Sequence, residues 1–139
     1  MPTGFPIENH ADLSSNYGSR IDPFTKLLTY HAGVDFSAPA GTIIYATGDG
    51  RIARTDFDRN NGQYIVIEHA EGFTSKYAHI KRFLIREGEK VKRGQAIAEV
   101  GSTGRSTSPH LHYEIAHKGM SINPMMALTK TSQLALIKD

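Results

Sequence analysis

The apolar positions of this chain fall in short runs, not in helical stripes. Gln63-Tyr64-Ile65-Val66-Ile67-Glu68 is β-branched and aromatic, is bounded by Gly62 and Glu71-Gly72, and predicts a strand. Thr42 to Ala46, Arg51 to Arg54, Phe73 to Ala78 and Gln95 to Val100 predict four more. The segments between them carry turn chemistry. Gly48-Asp49-Gly50 reads as a hairpin-type turn, Asp58-Arg59-Asn60-Asn61-Gly62 as a loop, and Gly88 and Gly94 bracket a short piece around Val91. Tyr17 to Arg20 and Asp22-Pro23 read as turns near the start. Gly101 to Ser108 is a polar loop that delivers the chain to a strand beginning at His110. Asn123 as N-cap and Pro124 behind it start a short helix over 125–128. The expectation is an all-β fold with one short helix near the C-terminus.

Composition narrows this reading. A length of 139 residues suits one domain with one core. Thirteen glycines and six prolines punctuate the apolar runs, which favours many short strands. The formal net charge of +2 and pI near 8.9 give no nucleic-acid-binding signature. Absence of cysteine excludes zinc fingers, thiol nucleophiles and disulfides. No apolar run approaches the roughly 20 residues of a membrane-spanning helix. Met1 to Asn9 is too polar for a secretory h-region. The chain is then either cytosolic or the mature part of a longer exported protein.

Candidate chemistry sits in Pro109-His110-Leu111-His112-Tyr113-Glu114. On a strand, residues i and i+2 share a face, so His110 and His112 project two imidazoles into one space about 7 Å apart at the backbone. Leu111, Tyr113 and Ile115 then face the core. Imidazole is the commonest metal ligand and the commonest general acid–base. His31-Ala32-Gly33-Val34-Asp35 adds a second pair of zinc-type donors. Fully extended, that segment would hold the two Cα atoms about 13 Å apart, so the chain is expected to bend near Gly33. Each pair alone is more often a hydrogen-bonded surface feature. Together they make three protein ligands plus spare imidazoles, and three ligands leave the open position of a catalytic zinc site. Zinc there would supply hydroxide at neutral pH, and neighbouring histidines would handle protons or an oxyanion. Spacing does not say which of His110 and His112 binds the metal.

His31-x-Gly33-x-Asp35, Tyr77-Ala78-His79 and Ser106-Thr107-Ser108-Pro109-His110-Leu111-His112-Tyr113-Glu114 together resemble the lysostaphin-type (LytM-like) zinc endopeptidases. Ser15 to Arg20 and Gly88 to Gln95 are similar to further parts of that domain. The resemblance spans residues 14–128, leaving 1–13 as an irregular leader and 129–139 as a tail. It implies an antiparallel, partly rolled β-sheet with a zinc-bearing groove between loops. It also implies one Zn²⁺ per chain on His31, Asp35 and His112, with His79 and His110 as catalytic histidines. The implied substrate is the peptide stems and cross-links of bacterial peptidoglycan, which places the protein in the cell envelope. Some members cut glycyl bonds and others D-alanyl–diaminopimelate cross-links; Arg20 to Pro23 is more similar to the second group. The alternative is a LytM-like regulator that activates cell-wall amidases without catalysis. A biotinyl- or lipoyl-type carrier module, suggested by Gly88 to Val100, would have no need of the histidines. His10, His69 and His117 fit no motif and read as surface or packing residues.

Overall fold

The computed structural model describes residues 1–8, 12–15, 18–21, 28–104, 106 and 108–127; for 12–15, 19–21 and 28–31 the description is of the backbone. The turn expected at Asp22-Pro23, together with Tyr17, His10, Leu128 and the tail from 129, lies outside the described residues; the rest of the turn expected over Tyr17 to Arg20 is instead strand, because Gly18 to Ile21 pair with Leu28 to His31. Strands β1 (Asp12–Ser15), β2 (Gly18–Ile21), β3 (Leu28–His31) and β4 (Val34–Ser37) precede β5 (Ile43–Tyr45) and β6 (Gly50–Asp58). Then come β7 (Gly62–Glu68), β8 (Phe73–Phe83), β9 (Lys90–Val91), β10 (Ala96–Val100), β11 (His110–His117) and β12 (Met120–Ile122). A helical turn over 124–127 follows, with Asn123 Oδ1 accepting from Met125 N at 3.0 Å as the expected cap. Among the described residues no helix is long and apolar enough to cross a membrane.

One antiparallel sheet runs β1-β4-β11-β8-β7-β6-β9, with β10 pairing β8 and β5, and β12 pairing β11; β2 and β3 form a separate ribbon. The period of two decides which face is the core. On β11, Leu111, Tyr113 and Ile115 are buried, while His110, His112 and Glu114 are half-buried on the other face. Ile52, Ile65, Ile67 and Tyr77 continue the core across β6, β7 and β8. Each such side chain contributes about 1.5–3 kcal/mol by leaving water. Ile7 joins this core, and the extended segment before it is tied to the domain by Gly4 N→Thr47 O and Tyr45 N→Pro6 O.

Two further expectations are corrected. Gly48-Asp49-Gly50 does not close a hairpin: β5 pairs β10, whereas β6 pairs β7 and β9. The glycines serve close approach instead. A Cβ on Gly50 would lie 2.2 Å from Glu68 O, and one on Gly48 would lie 3.1 Å from His69 Nδ1. The strand expected to end at Ala78 continues to Phe83 because Ile80 and its neighbours pair with β10 and β7.

Candidate metal centre and active site

Strand register brings Asp35, His110 and His112 together. His112 lies opposite Asp35 of β4 on one side and Ala78 of β8 on the other. Directly opposite residues share a face, so Asp35, His112 and Glu114 stand on the same side of the sheet as His110. The bend expected at Gly33 occurs between β3 and β4. It requires glycine, since a Cβ there would lie 2.4 Å from Tyr113 O and 2.7 Å from Glu114 Cγ. His31 ends β3; its backbone is opposite Gly18.

His112 carries two hydrogen bonds to carboxylates. Nδ1 donates to Asp35 Oδ1 at 2.8 Å and Nε2 donates to Glu114 Oε2 at 2.7 Å. Burial works against protonation of this ring, but the bonds to Asp35 and Glu114 outweigh it and push its pKa up to about 9. His110 donates from Nδ1 to Ser108 O at 2.8 Å, with Ser106 Oγ at 3.2 Å. Its Nε2 lies 3.9 Å from Asp35 Oδ1. His79 donates from Nδ1 to Thr103 O at 2.6 Å. Burial, the largest cause, pulls its pKa down to about 4, opposed by the Thr103 carbonyl. The His79 ring is 4.6 Å from that of His110 and 6.2 Å from that of His112, centroid to centroid. His79 and His110 thus share one tautomer: Nδ1–H held by a backbone carbonyl, Nε2 left as an acceptor.

His79 reaches this cluster by an irregularity in β8. Strict alternation from Ala78, which faces His112, would aim the next side chain into the core. His79 instead has φ of 64°, a left-handed conformation that costs a non-glycine residue about 1–2 kcal/mol. Its N–H donates to Asn61 O at 2.7 Å and its carbonyl accepts from Gly101 N at 2.9 Å. The β7–β8 register slips between Gln63 and Ile65 beside it. This bulge re-aims the imidazole to the histidine face.

The donor chemistry fits a zinc site. A carboxylate oxygen and an imidazole nitrogen meet at one point, and the far nitrogen of that imidazole is held by a second carboxylate, as metal-binding histidines commonly are. A cation there would take the place of the Nδ1 proton. Among the described residues no three His, Asp or Glu groups close around one ion; the side chain of His31 lies outside them. Glu114 was not singled out from the sequence, although its i+2 spacing from His112 was signal enough. Thr103 had no such signal, because its contact is through a loop carbonyl. His69 and His117 stand apart from the cluster. His69 joins a hydrogen-bond chain with Ser75, and His117 stacks on Phe73 at 4.2 Å.

Comparison with known proteins gives the family and the fold. The peptidoglycan DD-endopeptidase ShyA of Vibrio cholerae is 40% identical over 124 residues, covering 88% of this chain and 29% of that protein. The DD-carboxypeptidase/endopeptidase Mpg of Neisseria meningitidis is 40% identical over 133 residues, covering 94% and 31%. The chain therefore spans less than a third of the length of these relatives. A crystal structure of a zinc containing peptidase from Vibrio cholerae superposes with a TM-score of 0.81 at 36% identity, covering 87% of this chain and 38% of that one. The catalytic domain of lysostaphin from Staphylococcus simulans gives 0.79 at 29% identity, covering 87% and 94%. The description Peptidase family M23 matches residues 29–124, a stretch that contains His31, Asp35, His79, His110 and His112, and the chain belongs to that family.

Proposed function

We propose that this chain is the catalytic part of a zinc-dependent endopeptidase that hydrolyses peptide cross-links of bacterial peptidoglycan, with residues 14–128 as its metallopeptidase domain. The observation that carries the reading is a pair of imidazoles, His79 and His110, each with Nδ1–H tied to a carbonyl and standing beside the Asp35–His112 pair. One Zn²⁺ would be held by His31, Asp35 and His112, and when bound would polarise the scissile carbonyl and acidify a water. Glu114 keeps the His112 ring oriented by holding Nε2. The open Nε2 atoms of His79 and His110 accept the proton released by the attacking water and return it to the leaving amine. The Gly101–Ser108 loop, which carries the carbonyls that fix both rings, forms one wall of the groove. The names of the relatives from Vibrio cholerae and Neisseria meningitidis favour a bond between D-amino acids and a place in the cell envelope. Those names are peptidase names, so nothing favours the regulator reading.

The test is zinc stoichiometry beside cleavage of purified cross-linked muropeptides, read by mass spectrometry. His112→Ala should lose zinc and activity together. His110→Ala and His79→Ala should keep zinc and slow cleavage about 10²–10⁴-fold. Loss of zinc in His110→Ala with retention in His112→Ala would reverse the assignment. A wild-type protein that holds zinc and leaves every muropeptide intact would end the endopeptidase reading.

A further inference from the structure

His79 is held on three sides by a clasp of two loops. Asn61 accepts its backbone N–H, Gly101 donates to its carbonyl, and Thr103 O accepts Nδ1–H at 2.6 Å. The clasp is tight. A Cβ on Gly62 would lie 2.3 Å from the Thr103 carbonyl carbon, and one on Gly104 would lie 2.1 Å from Gly62 N. Thr103 is the only member of the clasp that touches the imidazole through one group and the surrounding backbone through another. Its hydroxyl donates to Ile80 O at 2.9 Å and accepts from Gln63 N at 3.1 Å. Gln63 and Ile80 are register partners at the end of the ladder where the β7–β8 register slips, and Ile80 directly follows the left-handed His79. The hydroxyl therefore stands where the sheet ladder is interrupted and supplies partners to backbone groups that the bulge leaves over.

We propose that Thr103 is the positioning residue of His79: its carbonyl selects the Nδ1–H tautomer, and its hydroxyl, pinned across the β7–β8 bulge, holds that carbonyl in place. The proposal rests on the catalytic role given to His79 above only for its consequence in turnover. The tautomer itself is a property of the folded chain. A ring with its proton on Nδ1 presents Nε2 as a base; the other tautomer would present a donor there and could not accept a proton from water. One side chain thereby couples the irregular backbone of β8 to the tautomer of the imidazole. Serine keeps the hydroxyl and valine keeps the shape without it, so the pair separates hydrogen bonding from packing.

The experiment is ¹⁵N–¹H NMR of the imidazole nitrogens in the metal-free protein at neutral pH, with His79 assigned by His79→Gln. Wild type and Thr103→Ser should show a single Nδ1–H tautomer for His79, and Thr103→Val a mixture. In the zinc-loaded protein, Thr103→Val should lower kcat about five- to tenfold, the worth of one hydrogen bond, with a smaller change in KM, and Thr103→Ser should restore it. An Nε2–H tautomer in the wild type overturns the proposal directly, whether or not Thr103→Val folds. So does a Thr103→Val protein that melts lower but keeps the wild-type tautomer. A protein with the expected tautomers that cleaves no muropeptide leaves this proposal standing and removes the endopeptidase reading instead.

Discussion

Tyr77→Phe should destabilise this protein more than Tyr113→Phe, although both rings are fully buried and each change removes one hydroxyl. The two hydroxyls belong to one directed hydrogen-bond chain beneath the histidine face. Its direction is set at the outer end, where Asp49 O can only accept, so His69 Nδ1–H donates to it at 2.8 Å. Burial lowers the His69 pKa and keeps the ring neutral, leaving Nε2 to accept from Ser75 Oγ at 2.7 Å. Ser75 Oγ then accepts from Tyr77 OH at 2.8 Å. The Tyr77 oxygen accepts from Thr47 Oγ1 at 2.9 Å and from Thr47 N at 3.2 Å, and Thr47 Oγ1 accepts from Tyr113 OH at 2.8 Å. Tyr113 heads the chain. Its removal deletes one bond and strands no donor, a loss of about 0.5–1.5 kcal/mol. Tyr77 sits in the middle. Its removal takes the acceptor from two buried donors, Thr47 N–H and O–H, at about 1–3 kcal/mol for each left unsatisfied. The expected costs are about 1 kcal/mol for Tyr113→Phe and about 2–6 kcal/mol for Tyr77→Phe. The Tyr77–Tyr113 ring contact, 5.3 Å between centroids, survives in both. Urea unfolding at pH 7 with matched m-values measures the difference. Equal costs, or a larger cost for Tyr113→Phe, would refute the directed chain.

The same phenols give a pH dependence. Burial raises the pKa of Tyr77 and of Tyr113 above the ordinary value, so the folded state favours the protonated form more than the unfolded state does. Their contribution is fully present below pH about 10 and is lost as pH rises through the folded values. The urea midpoint of the wild type should fall between pH 9 and pH 11, and Tyr113→Phe should fall less steeply; parallel slopes would count against it. At the candidate metal centre, Glu114→Gln should weaken zinc binding about 10–100-fold by replacing the carboxylate on His112 Nε2 with a neutral amide. Competition with a chromophoric chelator reads this affinity, and an unchanged value would remove Glu114 from that role.

Much of this protein can be read from local pattern. The alternation in His110 to Ile115 assigns its two faces, because the side-chain period of a strand is a property of the backbone alone. The same rule placed His110 and His112 together, and would have placed Glu114 with them. The bend at Gly33 was legible because an extended His31–Asp35 segment is too long for both donors to meet. Pairing was not legible in this way. Gly48-Asp49-Gly50 has the composition of a hairpin turn, yet β5 takes its partner from β10, some fifty residues on, since turn residues state only that the chain bends. Asp35 and His112 are 77 positions apart, and what sets them 2.8 Å from each other is the β4–β11 register. His79 departs furthest from pattern. Alternation points it into the core, and it joins the other histidines because Asn61 and Gly101, from two separate loops, hold its backbone in a conformation it would not adopt alone while Thr103 O holds its ring. Residue type and spacing carry the kinds of donor and the faces they stand on. Register, the bulge in β8 and the tautomer of His79 arise from contacts between segments distant in sequence, which no local preference encodes.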